Sequence, residues 1–198
     1  MARSSERCIV WGCRGVKRTT PGRLEVPQVP FAAIDFETAN AARTSACQIG
    51  VALVDPVGRR IRRVCLNIRP PTREFGRFES RIHGLRWEDV EDAPDFSEAW
   101  PKLQALFDEA EFLVAHNAGF DRTVLHACCR HYALKPPQRR WVCTVELAKA
   151  LWPGEPARLN VVAKRMGMAH QHHDAGSDAE ASARVVLWAW GERAAQTV

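Results

Sequence analysis

The chain has 198 residues, of which 46% are hydrophobic and 26% charged, and its formal net charge is +5. That length suits one domain with a sizeable core, and no apolar run is long enough to cross a membrane. The apolar stretch near the start is too short for a secretory signal, so we expect a cytoplasmic protein. Seven cysteines at irregular spacing predict free thiols.

The positive charge is concentrated at the start of the chain. Residues 1–30 hold six basic and two acidic side chains, show no hydrophobic periodicity and are interrupted by glycine and proline. This composition predicts a basic, disordered tail. We therefore expect a folded domain over residues 31–193 and a short C-terminal tail over 194–198.

Two segments of the domain carry opposite charge. Residues 57–86 contain nine arginines and two glutamates, whereas residues 87–121 contain ten acidic side chains and one lysine. A basic flank beside an acidic patch suits a site that holds metal ions and a polyanion together. Two solvated surfaces of opposite sign would give the same pattern.

The first half of the domain predicts three strands. An apolar run over 31–36 is typical of a central strand, and 47–54 and 61–68 predict two more, joined by a hairpin at 56–58. One helical turn is expected at 87–90, followed by an amphipathic helix over 96–110 with Ser97 as its N-cap.

In the second half, strands alternate with helices. Strands are predicted at 112–116 and 141–143, and helices at 120–131, 145–151, 159–166 and 174–191. Strands first and alternation afterwards predict an α/β domain, with helices flanking a mixed sheet of three antiparallel strands followed by parallel ones.

The first candidate motif is Asp35-Phe-Glu37 at the end of the first strand. Side chains two residues apart on a strand face the same side, so these carboxylates repel each other unless a cation binds. Oxygen ligands of this kind suit Mg²⁺ or Mn²⁺. The spacing alone is common by chance, and the position at a strand end carries the argument.

The second motif is His116-Asn117-Ala-Gly-Phe120-Asp121, where a strand turns into a helix. This ordered combination is rare by chance. Asp121 could merely complement the helix dipole, and Asn117 could be a simple turn residue.

The third motif pairs His173 with Asp178 at the start of the final helix. Both side chains can then point toward one strand end. His170 and His172 crowd the same segment, which raises a transition-metal site as a competing interpretation, although no Cys/His pair at structural-zinc spacing accompanies them.

In this order, the three motifs resemble the DEDDh branch of the DnaQ-like 3′–5′ exonucleases, the group of the DNA polymerase III epsilon subunit and RNase T. The resemblance extends over about residues 31–190 and is greatest to stand-alone bacterial members. Secondary matches are Gln48-Ile-Gly50, Ile82-His-Gly-Leu85 and Cys143-Thr144. The epsilon subunit binds its polymerase through a long C-terminal extension that is absent here, so we do not expect a polymerase partner.

The resemblance implies a ribonuclease H-like three-layer fold and a set of site residues. Two Mg²⁺ or Mn²⁺ ions would be held by four carboxylates: Asp35, Glu37, Asp121 and Asp178. His173 would take a proton from the attacking water, completing the catalytic set. Substrate contacts would come from Thr38, His83, His116, Asn117 and Phe120; for Phe120 a role as a core aromatic fits the pattern equally well.

The implied activity is metal-dependent hydrolysis of the terminal phosphodiester bond at single-stranded or frayed 3′ ends, releasing nucleoside 5′-monophosphates. DNA is the expected substrate, in repair or proofreading. Two alternatives stay open: an RNA-trimming exoribonuclease of the same fold, and a non-catalytic nucleic-acid-binding module.

Overall fold

The computed structural model describes residues 28–55 and 60–191, whose centre is one mixed five-stranded sheet. Its spatial order is β3-β2-β1-β4-β5, with antiparallel β1–β2 and β2–β3 pairs and parallel β1–β4 and β4–β5 pairs. The strands are β1 (Phe31–Thr38), β2 (Ala46–Asp55), β3 (Arg60–Asn67), β4 (Phe112–Ala115) and β5 (Arg140–Cys143). This topology confirms the predicted sheet. Outside the described residues lie the predicted hairpin at 56–58 and the predicted C-terminal tail at 194–198. The same holds for residues 1–27 of the predicted N-terminal tail and for residues 192–193 of the predicted domain.

Six α-helices are present in the described part of the chain, and five of them lie within about two residues of the predicted positions. They are α1 (Arg77–His83), α2 (Phe96–Asp108), α3 (Ala118–His131), α4 (Thr144–Leu151), α5 (Leu159–Arg165) and α6 (Ala175–Ala189), with a short 3₁₀ turn at Trp87–Asp89. The sequence did not predict α1, because it buries none of its residues and so lacks an apolar stripe. Among the helices of residues 28–55 and 60–191, none combines the length and hydropathy of a membrane crossing.

The predicted cap of α2 is wrong by two residues. Asp95, not Ser97, precedes the helix, and its carboxylate accepts the backbone N–H of Glu98 at 3.0 Å. The Glu98 carboxylate in turn accepts the backbone N–H of Asp95 at 2.7 Å. This reciprocal pair of hydrogen bonds satisfies two backbone N–H donors at the start of the helix. Ser97 forms no such reciprocal pair.

The sheet separates two helical layers, and the alternation along β1 assigns a layer to each of its side chains. Ala32, Ile34 and Phe36 pack in a core shared with α2 and α3. Phe31 and Ala33 pack in the opposite core, with α4, α5 and α6. Continuing the alternation, Asp35 and Glu37 face the α6 side at the strand's end.

The N-terminus of α6 lies directly on β2 because of two residues of that strand, Gly50 and Gln48. A Cβ atom on Gly50 would stand 1.9 Å from the carbonyl oxygen of Ala175, so only glycine admits this approach. The Gln48 side-chain oxygen accepts the backbone N–H of Ala175 at 3.0 Å. Since Gly50 pairs with Asp35 and Gln48 with Glu37, the first turn of α6 sits beside both carboxylates.

Gly50→Ala should therefore destabilise the fold by about 1–3 kcal/mol, the usual cost of overpacking a rigid interior. The measurement is urea unfolding followed by circular dichroism. Gly119→Ala is the matched control, because Gly119 is exposed on α3 and a Cβ there meets nothing within 4 Å. It should leave stability unchanged or raise it by up to about 1 kcal/mol. Equal unfolding midpoints for Gly50→Ala and the unsubstituted protein would contradict this account of α6.

Candidate active site

Four carboxylates from three elements meet at the end of β1. Asp35 and Glu37 come from β1, Asp121 from the first turn of α3 and Asp178 from the first turns of α6. Glu37, Asp121 and Asp178 are 9%, 1% and 4% exposed, while Asp35 keeps partial access to solvent. The structure thus brings together all four predicted metal ligands.

Hydrogen bonds fix two of these carboxylates. An oxygen of Asp121 accepts the backbone N–H of Phe36 at 3.1 Å, which ties α3 to the end of β1. An oxygen of Asp178 accepts the backbone N–H of His173 at 3.2 Å, and its other oxygen contacts Nε2 of His170. The carboxylates are therefore oriented by the chain itself.

Burial and mutual repulsion raise the pKa values of three of these carboxylates. Burial, then Asp121 and Asp178, raise the pKa of Asp35 well above its ordinary value. Burial and the same two carboxylates raise the pKa of Glu37 to about 8, and burial, assisted by Asp178, raises that of Asp121 to about 8. No lysine or arginine of the described residues is among the groups that set these pKa values.

An all-oxygen cluster with this much unbalanced negative charge fits hard divalent cations. A carboxylate buried without a counter-charge is costly, and it either retains a proton or binds a cation. Mg²⁺ and Mn²⁺ take oxygen ligands, so the donor set matches the predicted metal.

A cleft of about 700 Å³ opens over the cluster. Its walls include three of the predicted substrate-contact residues: His116, Asn117 and Phe120. The opposite wall of the cleft is formed by residues 157–160, which include the start of α5, and by Val145 of α4. The volume of the cleft is within the usual range for ligand-binding pockets, so a nucleotide can fit.

His116 and Asn117 follow β4 and are held in different ways. Nδ1 of His116 lies 2.9 Å from the Thr144 hydroxyl, which explains why Cys143-Thr144 accompanies the motif. Burial lowers the pKa of His116 to about 4, so the ring is neutral at pH 7. Asn117 has left-handed backbone angles and precedes α3, yet its side chain makes no capping hydrogen bond.

The position of Phe120 is compatible with both of the roles that the sequence left open, and its contact with substrate stays a prediction. Its ring packs on the edge of the core that contains α2 and α3, and it also lines the cleft. The Arg43 guanidinium lies 4.6 Å from the ring centroid. Sequence analysis missed Arg43, which lies in the irregular turn between β1 and β2 and belongs to none of the three motifs.

Thr38 and His83 contact each other rather than the cleft, whose lining does not include them. Nε2 of His83 lies 3.2 Å from the Thr38 carbonyl oxygen, and Nδ1 accepts the backbone N–H of Leu85 at 3.0 Å. Because Nδ1 accepts, Nε2 carries the proton and donates it to Thr38. Their roles in substrate binding stay predictions.

His173 lies where the third motif placed it. A ring nitrogen of His173 and carboxylate oxygens of Glu37 and Asp178 all lie within 4.8 Å of one another. Its backbone has a φ of +67°, and its ring stacks on His172 with the centroids 3.7 Å apart. Burial, then His172, lower the pKa of His173. The contact of His170 with Asp178 was not predicted. Several histidines lie in this irregular segment, and the sequence does not indicate which of them reaches the carboxylate.

Comparison with known proteins agrees with this geometry. The exonuclease family RNase_T matches residues 32–186. The chain is 28% identical over 158 residues to the DNA polymerase III PolC-type protein of Thermotoga maritima, covering 79% of this chain and 12% of that protein. It is 31% identical over 108 residues to exodeoxyribonuclease 10 of Escherichia coli K12, covering 54% of this chain and 42% of that protein. The chain thus spans less than half the length of these relatives.

Solved structures show the same fold. Exonuclease X, in complex with 5′ overhanging duplex DNA, superposes with a TM-score of 0.66 at 25% identity, covering 81% of this chain and 91% of that one. The nuclease domain of 3′hExo, a DEDDh family member bound to rAMP, superposes with a TM-score of 0.69 at 17% identity, covering 82% and 92%.

The mixed five-stranded sheet and its flanking helices form the ribonuclease H-like fold that the sequence predicts. The chain belongs to the exonuclease family, as the sequence predicts, and that family depends on divalent metal ions.

Without metal, the unfolding free energy should fall as pH rises from about 4 to 8. The folded pKa values of Glu37 and Asp121 are about 8, above the unfolded values near ~4.3 and ~3.9. Through this window the folded state binds more protons than the unfolded state, so raising pH favours unfolding. Thermal unfolding in EDTA across this range measures the effect, and the same series in excess Mg²⁺ is the control. A melting temperature in EDTA that rises toward pH 8 would contradict it.

Proposed function

We propose that this protein is a metal-dependent 3′–5′ exonuclease that shortens single-stranded or frayed DNA ends and releases nucleoside 5′-monophosphates. The observation that carries the proposal is the buried cluster of Asp35, Glu37, Asp121 and Asp178 beneath an open cleft. DNA is favoured over RNA by the similarity to exodeoxyribonuclease 10 and to exonuclease X bound to DNA.

The four carboxylates would hold two divalent ions, Mg²⁺ or Mn²⁺. Together they carry four negative charges when ionised, which two such ions balance. Bound there, the ions would stabilise the charges on the attacking and leaving oxygens of the phosphodiester. The backbone bonds that hold Asp121 and Asp178 keep this arrangement ready.

His173 would accept the proton of the attacking water. Its ring reaches the cluster beside Glu37 and Asp178 and lines the cleft, so it faces both the carboxylates and the substrate. Its lowered pKa keeps the ring neutral and able to accept a proton at pH 7. A general base of this kind typically contributes a rate factor of about 10²–10⁴.

The cleft walls would hold the terminal nucleotide. Phe120 offers a ring face for a base, and His116 and Asn117 offer polar groups at the same wall. Thr38 and His83, joined through the Thr38 carbonyl, would support the 3′ end from the neighbouring loop. All of these residues belong to this chain, so the proposal requires no polymerase partner.

A 5′-labelled single-stranded DNA should give a descending ladder of products in Mg²⁺ or Mn²⁺, and no products in EDTA. A 3′-blocked strand should resist, because the proposed reaction requires a free 3′-terminal nucleotide in the cleft. A matched RNA strand should be degraded more slowly; faster loss of the RNA would reassign the enzyme to RNA trimming. Cutting of a circular single strand at a comparable rate would show an endonuclease instead.

Asp35→Asn should reduce kcat by more than about tenfold, a barrier increase of over ~1.4 kcal/mol, while preserving the fold. Removing one charge from a repelling cluster should even raise the metal-free melting temperature. Asp92→Asn, at an exposed carboxylate outside the cleft lining, is the control and should retain full activity. An Asp35→Asn protein with more than a tenth of the normal kcat would rule out this cluster as the catalytic site.

A further inference from the structure

Two histidines face the cluster without a part in the proposed hydrolysis. A ring nitrogen of His170, a ring nitrogen of His172 and a carboxylate oxygen of Asp178 lie within 4.8 Å of one another. His170 contacts one oxygen of Asp178, and Nδ1 of His172 lies 3.5 Å from the other. The side chains of His170 and Asp178 are each only 5% exposed, whereas that of His172 is 38% exposed.

The chemistry of this second group differs from that of the four carboxylates. Two imidazoles and one carboxylate form a ligand set that Zn²⁺ uses when a further position is left to water or substrate. Imidazole nitrogen suits Zn²⁺, Ni²⁺ and Cu²⁺, whereas Mg²⁺ takes oxygen ligands. The exposed His172 provides access from solvent, while the two buried partners fix the other side.

We propose that His170, His172 and Asp178 form a transition-metal site that binds Zn²⁺ and thereby inhibits the enzyme. Asp178 belongs to both groups, so an ion held by the two histidines withdraws one carboxylate from the magnesium cluster. His172 also stacks on His173 with the ring centroids 3.7 Å apart, so turning His172 toward a metal moves the proposed general base. Inhibition should therefore weaken as Mg²⁺ is raised.

The binding part of this proposal is independent of the proposed function, and the inhibitory part rests on it. Isothermal titration of the full chain with ZnCl₂, at a fixed low Mg²⁺ concentration and without nucleic acid, should show one tight Zn²⁺ per chain. His172→Asn and His170→Asn should each weaken the Zn²⁺ dissociation constant by at least about tenfold. His172 is exposed, so its substitution is compatible with folding, and a thermal melt of each variant checks this.

Two further variants locate the ion. His131→Asn, at an exposed histidine at the end of α3, should bind Zn²⁺ as the unsubstituted protein does. Glu37→Gln tests the other group of possible ligands, Glu37, His173 and Asp178. A larger loss of Zn²⁺ affinity in Glu37→Gln than in His172→Asn would place the ion there and overturn the proposal.

Absence of Zn²⁺ binding in the unsubstituted chain, or unchanged binding in both histidine variants, would also overturn it. In the activity arm, added Zn²⁺ should inhibit degradation of single-stranded DNA at fixed Mg²⁺, with a half-inhibitory concentration at least about tenfold higher for His172→Asn. If the protein degrades neither DNA nor RNA, the titration still decides whether the site exists, so the two proposals can fail separately.

Discussion

The structure is organised around the electrostatic cost of placing four carboxylates in one buried cluster. Burial raises the pKa values of Asp35, Glu37 and Asp121, and ionised neighbours in the cluster raise them further. The fold accepts this cost because the backbone of β1 and the segment before α6 supply hydrogen bonds to Asp121 and Asp178. The hydrophobic core on each side of the sheet stabilises the fold and offsets the cost of burying the cluster.

The position of α6 decides whether the cluster is complete. Asp178 is separated from Asp35 by more than a hundred residues, and it reaches β1 only because α6 begins on top of β2. Gly50 allows the backbones to approach, and Gln48 binds the first N–H of the helix. Two residues without catalytic groups therefore determine the geometry of the site, and their match to the family pattern reflects packing rather than chemistry.

Most helices and strands could be predicted from the sequence because their buried side chains recur at the regular spacing of a helix or a strand. The apolar run of β1 and the spacing of the later helices follow from burial on one or both faces. The helix α1 could not be predicted, since none of its residues is buried and it carries no stripe. The predicted N-cap of α2 was wrong because Asp95 and Glu98, three residues apart, cap the helix with reciprocal hydrogen bonds that the serine between them cannot form.

The same physical difference divides the site. The carboxylates and His173 could be predicted because ordered motifs occur at the ends of regular elements. The contacts of His170, His172 and Arg43 could not, because they come from irregular segments whose backbone angles no sequence pattern specifies. His173 itself has a positive φ, a conformation that depends on the surrounding chain rather than on local preference.

Proton release on metal binding tests the central claim most directly. Mn²⁺ is titrated into metal-free protein at pH 7 by calorimetry in two buffers with different ionisation enthalpies, so that the difference in heat counts the protons released. If Asp35, Glu37 and Asp121 retain protons because their pKa values are raised, metal binding must displace them, and the two buffers should report a clear release with two ions bound per chain. Equal heats in the two buffers would mean that the carboxylates are already ionised. The buried, mutually repelling cluster would then be contradicted.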